Sequence, residues 1–105
     1  MTDDIIVTDR NGNTQGLEAL EGWRVMEIIR DHGLPIEGLC GGACSCATCH
    51  VYIDENWLQQ LPPMEAEEQH MLQDSFHYRE NSRLSCQIIW SEKLKGLTLT
   101  LAPEE

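Results

Sequence analysis

The residues of this 105-residue chain that are most able to do chemistry are its five cysteines, and four of them fall between positions 40 and 49. Five residues separate Cys40 from Cys46, and two separate Cys46 from Cys49. A further 36 residues precede Cys86. Four thiolates are the ligand set of a tetrahedral zinc ion and also of a 2Fe-2S cluster. A count of five therefore fits four metal ligands and one spare thiol better than paired disulfides.

The spacing favours a cluster over zinc. Structural zinc sites usually use two C-x2-C pairs, whereas here only Cys46 and Cys49 form such a pair. A loop that wraps a larger inorganic core explains the wide first gap better. Gly41 and Gly42 would let the backbone approach the sulfurs closely and turn its N–H groups inward. Such hydrogen bonds help to hold the reduced state of a cluster.

The fifth cysteine and two other uses of cysteine fit the pattern less well. Cys44 is interpreted as a non-ligand, because using it in place of Cys46 would destroy the C-x2-C spacing. A thioredoxin-like dithiol needs a helix directly after the pair, but β-rich residues 50–53 follow Cys49. A Rieske centre needs C-x-H spacing, whereas His50 directly follows Cys49.

The strands and helices on either side of the cysteines can be predicted from the sequence pattern. Residues 5–8 (IIVT), Asn11-Gly12 and residues 14–20 predict a hairpin. Val25, Met26 and Ile29 share one face of a predicted helix, which Gly33 and Pro35 should end. The cysteine-rich segment has no periodicity and is predicted to be a loop.

Strand and helix patterns also follow one another in the second half of the chain. It predicts a strand at 51–53, a short helix near 57–61 and a helix that starts at Pro62-Pro63. Two more strands are predicted, at 84–90 with Cys86 inside it and at 97–101. This order indicates a small α+β domain with a mixed sheet. The expected core contacts of the long helix are Met64, Met71, Leu72 and Phe76.

The net charge of the chain limits the classes of partner that it is expected to bind. The formal net charge of −11 argues against nucleic acid and anionic membranes as partners, and it suits either plain solubility or docking on a basic protein. Residues 54–80 hold seven acids and one arginine, a local charge of −6, which suits docking on a basic protein. The chain opens without a signal-like segment and has no apolar run of membrane-spanning length, so a soluble, cytoplasmic, bacterial protein is expected.

The pattern C-x5-C-x2-C-x36-C resembles that of the adrenodoxin and putidaredoxin type of 2Fe-2S ferredoxin. The flanking stretches CGG at 40–42, CATCHVY at 46–52 and NSRLSCQII at 81–89 are similar as well. The resemblance covers nearly the whole chain. It implies a single domain, residues 1–105, with the β-grasp fold of that family and a cluster-binding loop.

The resemblance implies a monomeric one-electron carrier, not an enzyme. Its donor would be an FAD-containing, NAD(P)H-dependent ferredoxin reductase, and its acceptor a cytochrome P-450 mono-oxygenase. The implied cluster ligands are Cys40, Cys46, Cys49 and Cys86.

Other residues match supporting positions of the family. His50, Ser82, Arg83 and Glu68 match positions that tie the cluster loop to an acidic helix, and Gly41 and Gly42 support the loop. The acidic helix is the expected docking surface for both partners. Its candidate docking residues are Glu65, Glu67, Glu68 and Asp74.

The chain also departs from that pattern. Ala66, His70 and Gln73 stand where adrenodoxin-like members tend to be acidic, which suggests a different oxygenase partner. Cys44 matches an extra cysteine of ferredoxins devoted to iron–sulfur cluster assembly, but those usually carry another cysteine where this chain has Val51. Cluster assembly therefore stays as the alternative function, with a zinc-binding interaction module as the alternative from another class.

Overall fold

The computed structural model describes residues 4–34, 50–73, 75 and 77–103. No helix among these residues is long and apolar enough to cross a bilayer. Short turns of 3₁₀ helix cover Ser85–Gln87 and Glu92–Leu94. The remaining elements are β1 (Ile5–Thr8), β2 (Thr14–Leu17), α1 (Val25–Asp31), β3 (His50–Ile53), α2 (Glu55–Leu58), α3 (Ala66–Gln73), β4 (Ser82–Leu84) and β5 (Leu97–Leu101).

The strands of the described part form one mixed sheet in the order β2-β1-β5-β3-β4. β1 and β5 run parallel with Val7 opposite Leu99, and the other neighbouring pairs are antiparallel. The strict alternation of β5 buries Leu97, Leu99 and Leu101 on one face. The predicted α+β domain with a mixed sheet is confirmed.

The predicted hairpin between β1 and β2 is also confirmed, and its turn has a clear physical basis. The Asp9 carboxylate accepts hydrogen bonds from the backbone N–H groups of Asn11 (2.9 Å) and Asn13 (3.0 Å). Gly12 has a φ of +87°, a conformation that costs least for glycine. The side chain of Asp9 thus supplies the turn with the acceptors that the strands cannot.

Helix α1 packs its apolar face into the core and ends in a Schellman motif. Val25, Met26, Ile28 and Ile29 are buried in the same cluster as the inner face of the sheet. Beyond the helix, the N–H of Gly33 donates to the carbonyl of Arg30 (3.0 Å), and that of Leu34 to Ile29 (3.3 Å). Gly33 adopts the required positive φ of +80°. The motif therefore fixes Leu34 against the core cluster.

The predicted strand at 84–90 is wrong in the region that matters most. β4 ends at Leu84, and residues 85–87 form a 3₁₀ turn closed by a hydrogen bond from Ile88 N–H to the Ser85 carbonyl (3.3 Å). The backbone is extended again from Ile88, and Ile89 bridges to Arg24. Apolar residues on both sides of the turn give it the appearance of one continuous strand in the sequence.

Helix α3 begins at Ala66, later than the prolines predict. The carbonyl of Pro62 accepts a hydrogen bond from the Arg83 guanidinium at 2.8 Å, so it does not open the helix. The expected packing is otherwise confirmed: Leu72 is fully buried, and Met64 and Met71 are half-buried against the core. The predicted contact of Phe76 lies outside the described residues.

Candidate functional site

Cys86 occupies a dry position beside the sheet. Its 3₁₀ turn packs against α1, and the residue is 1% exposed. The side-chain amide of Gln87 donates a hydrogen bond to the Cys86 sulfur, with a nitrogen-to-sulfur distance of 3.4 Å. A buried sulfur that accepts an N–H hydrogen bond suits a thiolate bound to a metal.

The other predicted ligands, Cys40, Cys46 and Cys49, lie outside the described residues, as do Cys44, Gly41 and Gly42. The topology describes the residues next to two of the predicted ligands. β3 begins at His50, the residue after Cys49 in the sequence, and pairs His50 opposite Leu84, two residues before Cys86. His50 and Leu84 are therefore cross-strand neighbours.

The start of β3 is fixed by a buried polar group. His50 is 3% exposed, and its Nε2 lies 2.7 Å from the hydroxyl oxygen of Ser82. The same oxygen accepts the backbone N–H of Arg79 at 2.8 Å. His50 and Ser82, predicted to support the cluster loop, are thus brought together by the pairing of β3 with β4.

Tyr52 connects β3 to the segment that precedes β4. Its hydroxyl donates to the carbonyl of His77 (2.6 Å), and the Arg79 guanidinium lies 4.7 Å from the centre of its ring. The ring of His50 also meets that of Tyr52 edge-on, with centroids 5.1 Å apart. Sequence reasoning assigned no role to Tyr52 or Arg79, because neither residue type nor spacing marks such contacts.

A buried ion pair joins α3 to β4. The Glu68 carboxylate accepts hydrogen bonds from Arg83 Nε at 2.7 Å and from Arg83 Nη2 at 3.3 Å. It also accepts the backbone N–H of Leu84 at 2.9 Å. Both side chains are almost fully buried, with exposed fractions of 7% for Arg83 and 2% for Glu68. The pair therefore fixes the helix against the strand that leads to Cys86.

This burial corrects the predicted docking role of Glu68. A carboxylate fully engaged inside the protein cannot present its charge to a partner, so Glu68 is a structural link and not a surface group. Glu65 and Glu67 are exposed, as a docking role requires. Asp74, the fourth predicted docking residue, lies outside the described residues.

Gln87 is the contact residue that sequence reasoning missed. Its position next to a predicted ligand was the available signal, but nothing in the sequence shows that its amide turns back toward the sulfur. A single buried thiolate of this kind fits zinc and an iron–sulfur cluster equally well. The choice between the two therefore depends on the full set of cysteines and on relatives.

The family of 2Fe-2S iron–sulfur cluster binding domains matches residues 8–91 of the chain. A 2Fe-2S ferredoxin of Castellaniella defragrans is 41% identical over 103 residues, which cover 96% of each protein. The mitochondrial adrenodoxin homolog of Saccharomyces cerevisiae is 38% identical over 92 residues, 88% of this chain. The chain spans only 50–60% of the length of this and two other mitochondrial relatives.

Solved structures agree with the fold. The crystal structure of a ferredoxin from Rhodopseudomonas palustris superposes with a TM-score of 0.89 at 41% identity, covering 96% of both chains. A putidaredoxin bound covalently to putidaredoxin reductase superposes with a TM-score of 0.90 at 33% identity, covering 95% of this chain and 98% of that one. The β-grasp fold implied by the family resemblance is confirmed.

Proposed function

The chain belongs to the 2Fe-2S iron–sulfur cluster-binding family, and from this membership we propose that it is a one-electron carrier and not an enzyme. Its cofactor is a 2Fe-2S cluster, which supplies a one-electron iron couple without proton transfer. Cys40, Cys46, Cys49 and Cys86 hold the cluster in this proposal. The electron donor is an FAD-containing, NAD(P)H-dependent ferredoxin reductase, and the acceptor is a cytochrome P-450 mono-oxygenase.

The observation that carries the proposal is the link between an exposed acidic helix and a buried ligand position. Glu65 and Glu67 are exposed at the start of α3, while Glu68 of the same helix binds Arg83 inside the protein. Arg83 lies three residues before Cys86. A partner attracted to these acids would therefore meet the carrier beside the strand that leads to the cluster ligand, and electron transfer needs such closeness.

The reductase half of the proposal is supported by the solved complex of putidaredoxin with its reductase, because that putidaredoxin shares the fold over 95% of this chain. The acidic surface supports it too, since charge-guided, short-lived contacts suit a protein that must leave one partner to meet the next. The P-450 mono-oxygenase is proposed as the acceptor because the cysteine pattern is similar to that of putidaredoxin-type proteins. A bacterial ferredoxin of matching length supports a cytoplasmic setting.

The first test is an anaerobic reductive titration of the purified protein, followed by visible absorption. We expect a red-brown protein that partly bleaches on uptake of one electron per chain. A colourless protein with bound zinc would overturn the proposal and favour an interaction module.

The partners are tested by reconstitution. A ferredoxin reductase with NADH or NADPH should reduce the protein catalytically, and the reduced protein should then support substrate turnover by a P-450 mono-oxygenase. If it instead supports only cluster synthesis on an assembly scaffold, the proposed acceptor is wrong and the carrier role stands.

A further inference from the structure

The side chain of Gln87 contacts the one predicted ligand that the described residues include. Its Nε2 donates to the Cys86 sulfur at 3.4 Å, and Gln87 itself is half-buried. We propose that Gln87 is a positioning residue that sets the reduction potential of the carrier through this hydrogen bond. The inference rests on the proposed function, because it requires that the Cys86 thiolate hold a redox-active cluster.

The backbone around Gln87 is held in place on both sides of the turn. Ile88, the next residue, is fully buried, and its carbonyl accepts the N–H of Val25 at 2.8 Å. Before the turn, Leu84 donates its N–H to the Glu68 carboxylate at 2.9 Å. The Gln87 side chain therefore starts from a fixed backbone, and its amide already contacts the sulfur before any electron arrives.

The direction of the effect follows from charge. An electron supplied by the reductase reduces one iron from ferric to ferrous and adds a negative charge that the thiolate sulfurs share. A hydrogen-bond donor on one of these sulfurs stabilises the reduced state more than the oxidised state. Because the Cys86 sulfur is buried, bulk water does not replace a lost donor. Loss of the amide N–H should therefore lower the reduction potential.

Two variants separate the donor from the bulk of the side chain. Gln87→Met keeps the length and an apolar body but removes the donor. Gln87→Glu keeps the shape and replaces the donor with a negative charge. The exposed Gln60→Met is the matched control on a distant turn.

In spectroelectrochemical titrations, we expect Gln87→Met to weaken electron uptake by up to about tenfold, or about 59 mV for one electron. Gln87→Glu should lower the potential further, and Gln60→Met should leave it unchanged. Unaltered potentials in both Gln87 variants would overturn the proposal, as would a rise in Gln87→Met.

A measurement on the unaltered chain covers the case in which a variant fails to assemble. Glutamine labelled with ¹⁵N in the side-chain amide should show a magnetic coupling to the reduced cluster in pulsed EPR. Absence of this coupling in a protein that takes up one electron normally would overturn the role of Gln87 and leave the carrier function standing. A protein without any reducible cluster would instead overturn the carrier function itself.

Discussion

At Cys86, burial and a neighbouring hydrogen-bond donor suit the ligand role proposed for this residue. The residue is 1% exposed, and the turn that carries it packs against α1. We expect Cys86→Ser to lose or strongly alter the visible chromophore, because the serine oxygen is a poor substitute for a thiolate on iron. Absorption spectra and iron content of the purified variant measure this directly.

Cys44→Ser is the matched control among the cysteines. Because the C-x2-C spacing assigns Cys46 and Cys49 together, Cys44 should be dispensable and its serine variant should keep the colour. Loss of the chromophore in Cys44→Ser, or full retention of it in Cys86→Ser, would show that the ligand assignment is wrong.

Glu68 shows where prediction from the sequence stops at the scale of a residue. Glu65, Glu67 and Glu68 look equivalent in the sequence, as acids near the start of a helix. The family resemblance implied both a linking role and a docking role for Glu68, and the fold shows that Glu68 turns inward to meet Arg83, 15 residues away. Single-residue patterns cannot report such a pairing, because it depends on how α3 packs on β4.

At the scale of an element, that ion pair connects α3 to β4. Removal of one partner leaves a buried charge without compensation, so we expect Glu68→Gln to lower the free energy of unfolding by about 3 kcal/mol. Urea unfolding followed by circular dichroism measures the change. The exposed Glu67→Gln on the same helix is the control and should change the stability by less than about 0.5 kcal/mol.

If Glu68→Gln proves as stable as Glu67→Gln, the ion pair does not hold the helix to the strand. A double variant, Glu68→Gln with Arg83→Met, should be less destabilised than the two single losses summed, since it removes the uncompensated charge as well.

The exposed end of α3 makes a second prediction at this scale. Glu65→Lys with Glu67→Lys should slow reduction by the reductase several-fold, because it reverses the charge that attracts a basic partner. The visible spectrum should not change. Stopped-flow reduction measures the rate.

Glu21→Lys with Glu92→Lys produces the same change of net charge on other exposed positions and serves as the control for location. Equal slowing by both double variants would show that only the overall charge matters and that α3 is not the docking element.

Elements with a simple pattern were predictable, and those shaped by distant contacts were not. The alternation of β5 and the Asn-Gly hairpin turn are local signals, and both predictions are confirmed. The 3₁₀ turn at Cys86 and the late start of α3 escaped prediction. In each case a backbone group takes a distant partner that the pattern does not reveal: Leu84, just before the turn, donates its N–H to Glu68, and the carbonyl of Pro62 accepts the Arg83 guanidinium.

At the scale of the whole molecule, the net charge of −11 makes association with partners depend on salt. We expect the reductase-dependent rate to fall as ionic strength rises from about 0.05 to about 0.5 M, because screening shortens the reach of the acidic surface. Steady-state assays across this range measure the slope. A flat profile would contradict electrostatic docking, and the Glu65→Lys, Glu67→Lys variant should show a shallower slope than the unaltered protein.

The position of β5 in the sheet has a consequence for how the protein folds during its synthesis. β5 lies between β1 and β3, yet it follows every cysteine in the chain. As the polypeptide emerges from the ribosome, the two halves of the sheet cannot join until residues 97–101 are available. All five thiols are thus synthesised before the scaffold that arranges them exists. A site that needs both halves of the sheet is therefore complete only after β5 has been synthesised, and the thiols are most open to oxidation before that point.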